Sequence, residues 1–267
     1  LVPLEEVGAG EGRWDFVMTN PPFFASREEM GGRGREGGPA AVCCGAEVEM
    51  VCPGGEVGFV SRMLEESRGL GGRVRWYTSM FGKLSSMRAV VAKLREHGIT
   101  NYAVASLQAG HKTNRWAVAW SFLDWRPRND VARRGELVAD VLPESTTKTI
   151  SLLMGRAEMV RRVDAVMHGL DVHWQWNDDG EEMGLMQARG NVWSRAARRR
   201  KQEGGRGTEM GEESDQGDAN KFIVAISCAS GKGVQVDWVR GTDWGLFESF
   251  CGMLRAHLHK SPESAAS

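Results

Sequence analysis

Asn20-Pro21-Pro22-Phe23 is the segment of this chain whose residue types and order could do chemistry. An amine attached to an aromatic ring is a poor nucleophile because its lone pair is delocalised into the ring. Two acceptors set against its two hydrogens favour a pyramidal nitrogen with the lone pair freed. The side-chain carbonyl of Asn20 is one such acceptor, and the main-chain carbonyl of Pro21 can be the other. The two prolines stiffen the backbone and add no competing N–H donor. Phe23 offers a flat face for a base such as adenine, and stacking of this kind is worth ~1–3 kcal/mol per base. Transfer of a group to such an amine is an in-line displacement, so positioning and electrostatics carry most of the work. The bland alternative is a strand that ends in a Pro-Pro turn, since Asn-Pro is itself a turn signal. The apolar run Trp14–Met18 directly upstream favours the catalytic reading, because it predicts a short buried strand.

Three groups of cations could serve a polyanion. Arg27, Arg33 and Arg35 follow the motif, the last two inside a glycine-rich loop over 31–45, where arginines suit phosphate contact or a solvated charged loop. Lys112 and Arg115 lie in the stretch GHKTNRW, at the start of a predicted strand. His111 beside them reads as a surface residue. Arg195, Arg198, Arg199, Arg200 and Lys201 crowd a predicted helix over 191–202. Their mutual repulsion is relieved by a polyanion or borne by a solvated face. The segment 203–219 follows, rich in Gly, Glu and Asp and without apolar periodicity. It is predicted to be a disordered insert that partly masks the basic run.

The elements that must position these residues alternate. Helices are predicted over 56–70 and 85–97, with Gly98 at a helix end, and strands over 73–80, 102–107 and 116–122. Strand, helix, strand, helix, strand is the order of an α/β sheet with crossover helices. The last two strands, joined by a short link, predict an antiparallel hairpin at the sheet edge. Beyond Asp124 the pattern becomes α+β: a basic stretch, a helix over 158–168, a strand over 172–176, the basic helix, a closing hairpin over 221–227 and 233–239, and a helix over 244–257. The division expected is 1–125, then 126–260 with the basic helix and the insert inside it, then a loose tail over 261–267.

Composition sets the frame. The 267 residues carry a net charge of −1, so any nucleic-acid binding must come from local patches. Cys43, Cys44, Cys52, Cys228 and Cys251 match no metal-ligand spacing and read as reduced thiols, so no metal is expected. No apolar run reaches the ~20 residues of a membrane span. No membrane partner is expected, and an intracellular monomer is the default. Trp76, Trp116 and Trp120 fall within strand patterns, where burial is the expected fate of an indole.

WDFVMTNPPFF resembles the catalytic segment of amino-group methyltransferases with a class I Rossmann-like fold. CPGGEVGFVSRMLEES, RVRWYTSMFGKLSSM and QAGHKTNRWAVAWSF, in that order, resemble consecutive blocks of the methyltransferase-like protein 16 family. The likeness covers about 14–122 and continues weakly to the basic helix. It implies S-adenosyl-L-methionine as cofactor and formation of N6-methyladenosine in a structured RNA: small nuclear RNA, ribosomal RNA or a messenger hairpin. A bacterial relative modifies large-subunit ribosomal RNA, and the family context implies the nucleus, with the cytoplasm as alternative. The resemblance makes Asn20, Pro21, Pro22 and Phe23 catalytic, with Asn20 also beside the cofactor. Phe24, Arg33, Arg35, Lys112, Arg115 and the run Arg198 to Lys201 become RNA contacts. The family's glycine-rich cofactor turn and ribose-gripping acid are expected upstream of Leu1. The chain therefore reads as N-terminally truncated, a Rossmann-like sheet lacking its first strands, and is expected to hold the cofactor weakly. The alternatives are a related enzyme for a protein or small-molecule amine, and an inactive RNA-binding remnant.

Overall fold

A computed structural model describes residues 13–32, 50–109, 113–177, 183–194, 197, 199 and 221–260. Two compact units emerge: Leu1–Asp124 with Asn129–Glu144, and Trp125–Arg128 with Ser145–Ser267.

The first unit is built on β1 (Trp14–Thr19), α1 (Arg27–Gly32), α2 (Gly55–Leu70), β2 (Val74–Phe81), α3 (Leu84–Glu96), β3 (Tyr102–Ala109), β4 (Thr113–Trp120), α4 (Asn129–Ala132) and β5 (Arg133–Arg134). The sheet order is β1-β2-β4-β3-β5. β1 and β2 are parallel, and β4 runs antiparallel to both β2 and β3. A parallel pair needs a crossover, and α2 supplies it. This is the succession expected of a class I Rossmann-like methyltransferase sheet.

Periodicity explains the helices. In α2, Val60, Met63, Leu64 and Ser67 are buried, and in α3 Met87, Val90, Val91 and Leu94, spacings that bring one stripe to the sheet. Gly98 ends α3 with φ +69°, a left-handed conformation that glycine adopts without a Cβ clash. Its N–H donates to the Arg95 carbonyl, and that of Ile99 to the Leu94 carbonyl. Tyr77, Phe81, Val104, Val118 and Trp120 face these stripes. Each such side chain contributes roughly 1.5–3 kcal/mol by leaving water. The indole N–H of the fully buried Trp120 is satisfied: it donates to Ser67 Oγ at 3.0 Å, which donates to the Leu64 carbonyl at 2.7 Å.

Two expectations are corrected here. β1 is not buried: Phe16 is 64% exposed and Met18 75%. Among the described residues β1 pairs with β2 alone and stands at the edge of the sheet, and alternation sets Phe16 and Met18 together on one face. An apolar run reports affinity for a core, not the number of neighbours a strand acquires. Nor does the hairpin close the edge. β4 returns inside the sheet between β2 and β3, and the two-residue β5 lines the outer side of β3 at Val104 and Ala105.

The second unit holds β6 (Thr147–Ile150), α5 (Arg156–His168), β7 (His173–Trp176), β8 (Met183–Ala188), β9 (Phe222–Ala229), β10 (Gly233–Arg240) and α6 (Trp244–Leu258). Its sheet, β6-β10-β9-β8-β7, is antiparallel at every pairing. The predicted hairpin β9–β10 is central rather than closing, flanked by β8 and by the short and largely polar β6. Met159, Val163 and Met167 of α5 pack with Phe247, Phe250 and Leu254 of α6 in the core that also takes Val224, Ile226 and Val236. Asp164 on α5 accepts from the indole N–H groups of both Trp174 and Trp176, at 2.8 Å each. Two buried-side donors are thus met by one carboxylate.

The basic helix starts later than its composition suggests. Asn191 to Ser194 are not helical, whereas Ala197 and Arg199 are. Ser194 Oγ accepts from the Ala197 N–H at 3.1 Å, the geometry of a helix cap. Trp193 is drawn into the core instead, donating to Ser249 Oγ at 3.1 Å. The insert over 203–219 lies outside the described residues.

Candidate functional site

The carboxyl end of β1 carries the motif. Asn20 is exposed directly after the strand, Pro21 and Pro22 are buried, and Phe23 and Phe24 are half-buried. Open α/β sheets present ligand sites at the carboxyl ends of their strands. β1 and β2 are parallel, so the Phe81–Gly82 end of β2 lies at the same edge.

The backbone beyond the prolines is tied down on both sides. Phe24 N–H donates to the Met50 carbonyl at 3.1 Å, and Cys52 N–H to the Phe24 carbonyl at 3.0 Å. Gly54 and Gly55 then turn with φ of +79° and +56° into α2. A Cβ on Gly58 would stand 2.3 Å from the Pro53 carbonyl oxygen, so the first turn of α2 can back onto that loop only with glycine there. On the other flank, Glu29 accepts from Ala25 N–H at 2.8 Å and pairs with Lys83 at 3.1 Å. This pair is partly exposed and contributes at most about 1 kcal/mol.

Two residues join this site that the motif did not announce. Glu56, in the first turn of α2, is 4% exposed, and its Oε1 accepts from Gly82 N–H at 2.5 Å. Its Oε2 is buried with no partner among the described residues. A Cβ on Gly82 would lie 2.8 Å from that Oε1 and 3.3 Å from Phe23 Cδ1. Gly82 is therefore wedged between a carboxylate and the edge of the Phe23 ring. The signal available in the sequence was an acidic residue directly after two glycines at a helix start, within the block CPGGEVGFVSRMLEES.

Arg115 completes the cluster. Its guanidinium carbon is 5.8 Å from the centroid of the Phe23 ring. The structure thus brings Arg115, grouped in the sequence with Lys112, to Phe23. Arg199 is exposed and belongs to the second unit. Arg33, Arg35, Lys112, Arg198, Arg200 and Lys201 lie outside the described residues.

Residues 4–124 match the model of an RNA methyltransferase family. The Schizosaccharomyces pombe U6 small nuclear RNA (adenine-(43)-N(6))-methyltransferase is 34% identical over 252 residues, 93% of this chain and 61% of that protein. The Homo sapiens RNA N(6)-adenosine-methyltransferase METTL16 is 39% identical over 115 residues, 42% of this chain and 20% of that one. Residues 4–124 are thus a segment that the chain shares with RNA methyltransferases, METTL16 among them. A crystal structure of the human METTL16 catalytic domain with a MAT2A 3′UTR hairpin is 34% identical, covers 48% of this chain and 45% of that one, and aligns with a TM-score of 0.43. The chain spans about three fifths of the S. pombe protein and about a fifth of the human one. The family segment contains Asn20, Phe23, Glu56, Gly82 and Arg115 together.

The described residues answer half of what a methyl transfer needs. They include carbonyl oxygens at Asn20 and Pro21 and an aromatic ring at Phe23, groups of the kind that suit an amine on a flat base. Among them, β2 is the sole strand paired with β1, and it ends in Phe81-Gly82, so no second strand end beside Asn20 offers the carboxylate a cofactor ribose requires. Cys52, Cys228 and Cys251 are buried free thiols.

Proposed function

We propose that this chain is the acceptor-side part of an S-adenosylmethionine-dependent RNA methyltransferase that forms N6-methyladenosine. The observation that carries the reading is the Phe23–Arg115 pair beside Asn20, inside a segment shared with RNA methyltransferases. An aromatic face flanked by a guanidinium suits a stacked base and its phosphate together. S-adenosylmethionine supplies the electrophilic methyl when bound. The chain's own residues do the rest. Asn20 Oδ1 and the Pro21 carbonyl accept from the two N6 hydrogens and draw the nitrogen toward a pyramidal shape. Phe23 stacks the adenine. Gly82 and Glu56 hold the ring edge in place. Phe24, Arg33, Arg35, Lys112, Arg115 and the run from Arg198 to Lys201 hold the RNA, the cations through phosphates. The RNA is a structured one of the small nuclear, ribosomal or messenger-hairpin class, and the nucleus is the proposed compartment.

Single-turnover methylation of an adenosine-containing RNA hairpin tests this. Asn20→Ala is expected to slow methylation by ~10²–10³, the usual cost of one preorganised transition-state contact, with RNA affinity unchanged. An unaltered rate, or methyl found on a protein or small amine instead of N6, overturns the reading.

A further inference from the structure

Of the ten tryptophans of the chain, all among the described residues, Trp125 alone is exposed, at 52%. A loose backbone does not explain it, because the residues that follow are fixed within the second unit. Arg126 N–H donates to the Val239 carbonyl at 2.9 Å, and Thr146 Oγ1 to the Pro127 carbonyl at 3.0 Å. The Arg126 side chain donates to the carbonyls of Gly241 at 2.8 Å and Thr242 at 3.3 Å. Its guanidinium carbon lies 4.2 Å from the centroid of the Trp238 ring. Trp238 in turn stacks on Phe247, with centroids 5.5 Å apart. Trp125 is thus an exposed indole on an anchored segment.

Neither core cluster of the described residues includes this ring. What meets it is a cation. Trp125 stands opposite Arg240 in an antiparallel bridge at the end of β10. Directly opposed residues present their side chains on one face, and the Arg240 guanidinium carbon is 5.2 Å from the centroid of the indole.

The charge around the pair selects the partner. The residues beside the indole in sequence and across the bridge are all charged: Asp124, Arg126 and Arg240. Arg128 follows and is exposed. One carboxylate therefore stands against three guanidinium groups. An indole that anchors a protein partner sits in an interface core depleted of charge. Single-stranded nucleic acid is held by the opposite arrangement, an aromatic face for the base and cations along the backbone. The base must be unpaired, since inside a duplex its faces are covered by its neighbours. Any of the four bases suits, because each has a π-face. An anchored backbone and a rigid ring leave little freedom to lose on binding.

We propose that Trp125 and Arg240 form a second RNA contact, a platform that takes one unpaired nucleotide flanking the structured RNA. The base stacks on the indole and its phosphate meets the guanidinium. The proposal rests on the RNA reading of the first site.

The test is fluorescence anisotropy of the full chain with a labelled RNA hairpin. The hairpin is blunt, or carries a short single-stranded extension at its 5′ or 3′ end, with normal or abasic nucleotides. The wild type is expected to bind one of the extended hairpins about tenfold more tightly than the blunt one, the effect of one base on an aromatic ring. The abasic extension, which tests stacking without altering the protein, should lose most of that gain. Trp125→Ala should bind extended and blunt hairpins alike, and Trp125→Phe, which keeps a stacking face, should retain most of the gain. Arg240→Gln should flatten the salt dependence of the extended hairpin by about one unit in the logarithmic slope. No gain from either extension, a gain that survives in Trp125→Ala or with abasic nucleotides, or an unchanged slope in Arg240→Gln overturns the platform and leaves the RNA reading standing. Failure of the wild type to bind any of these RNAs overturns both.

Discussion

The guanidinium of Arg115 lies 5.8 Å from the centre of the Phe23 ring. The two residues come from distant parts of the chain: Phe23 from the segment that follows β1, and Arg115 from β4. A cation over an aromatic face is worth about 0.5–1 kcal/mol when exposed and more when desolvated. Part of that energy is at the disposal of any base that displaces water from the pair.

Arg115→Ala is therefore expected to weaken RNA binding and to flatten its salt dependence by about one unit in the logarithmic slope, the signature of one lost phosphate contact. Arg115→Lys should restore the slope without the full affinity, because a lysine ammonium lacks the planar face that stacks on an aromatic ring. Titrations at several salt concentrations measure both. A variant with unchanged slope would remove Arg115 from the phosphate path.

The wedge at Gly82 predicts a separation of stability from turnover. Glu56→Ala takes the acceptor from Gly82 N–H and should cost about 1–3 kcal/mol of stability. Glu56→Gln keeps a carbonyl there and should cost less. Gly82→Ala puts a methyl 2.8 Å from Glu56 Oε1 and 3.3 Å from the Phe23 ring, so one of them must move. Its expected effect is a lower methylation rate at saturating RNA with a modest change in melting temperature. Thermal melts followed by circular dichroism, run beside single-turnover assays, compare the three variants.

The alkaline limit of the fold is set by the two tyrosines of the chain. Burial pushes the Tyr77 phenol up to about 12, and burial also raises Tyr102, against the opposing pull of Arg95. A raised folded pKa means stability that is fully present below the unfolded value near 10 and lost as pH climbs toward 12. Absorbance at the phenolate band should stay flat to about pH 10 and rise together with loss of the circular dichroism signal. A phenolate step below pH 10 in the folded chain would contradict the packing of Tyr77 against Trp120, stacked with centroids 5.8 Å apart.

Local pattern was enough for most of the first unit. The stripe Met87, Val90, Val91, Leu94 and the stop at Gly98 fix α3 with no tertiary information. Asn20 to Phe23 stood out because two prolines and an aromatic after an apolar run are a rare combination. What stayed hidden depends on partners distant in sequence. Phe16 and Met18 look like core residues until the number of strands beside them is known. β4 looks like an edge until β2 is found on its other side. Glu56 looks like an ordinary helix-opening acid until Gly82 is brought to it. In the second unit, β6 reads as a polar loop, and only β10 beside it makes it a strand. Trp193 reads as part of a basic helix, and only the core formed by Phe222 and Phe250 claims it.

The alternation of Asn114, Arg115 and Trp116 along β4 limits how this protein can change. A single residue inserted inside the strand after Trp116 would swap the faces of everything before it, turning Arg115 away from Phe23 and an indole or amide toward it. Substitutions at these positions are therefore independent of one another in chemistry but locked together in parity. Variation that preserves the site must come by exchange in place, and drift in spacing along the strand is closed off.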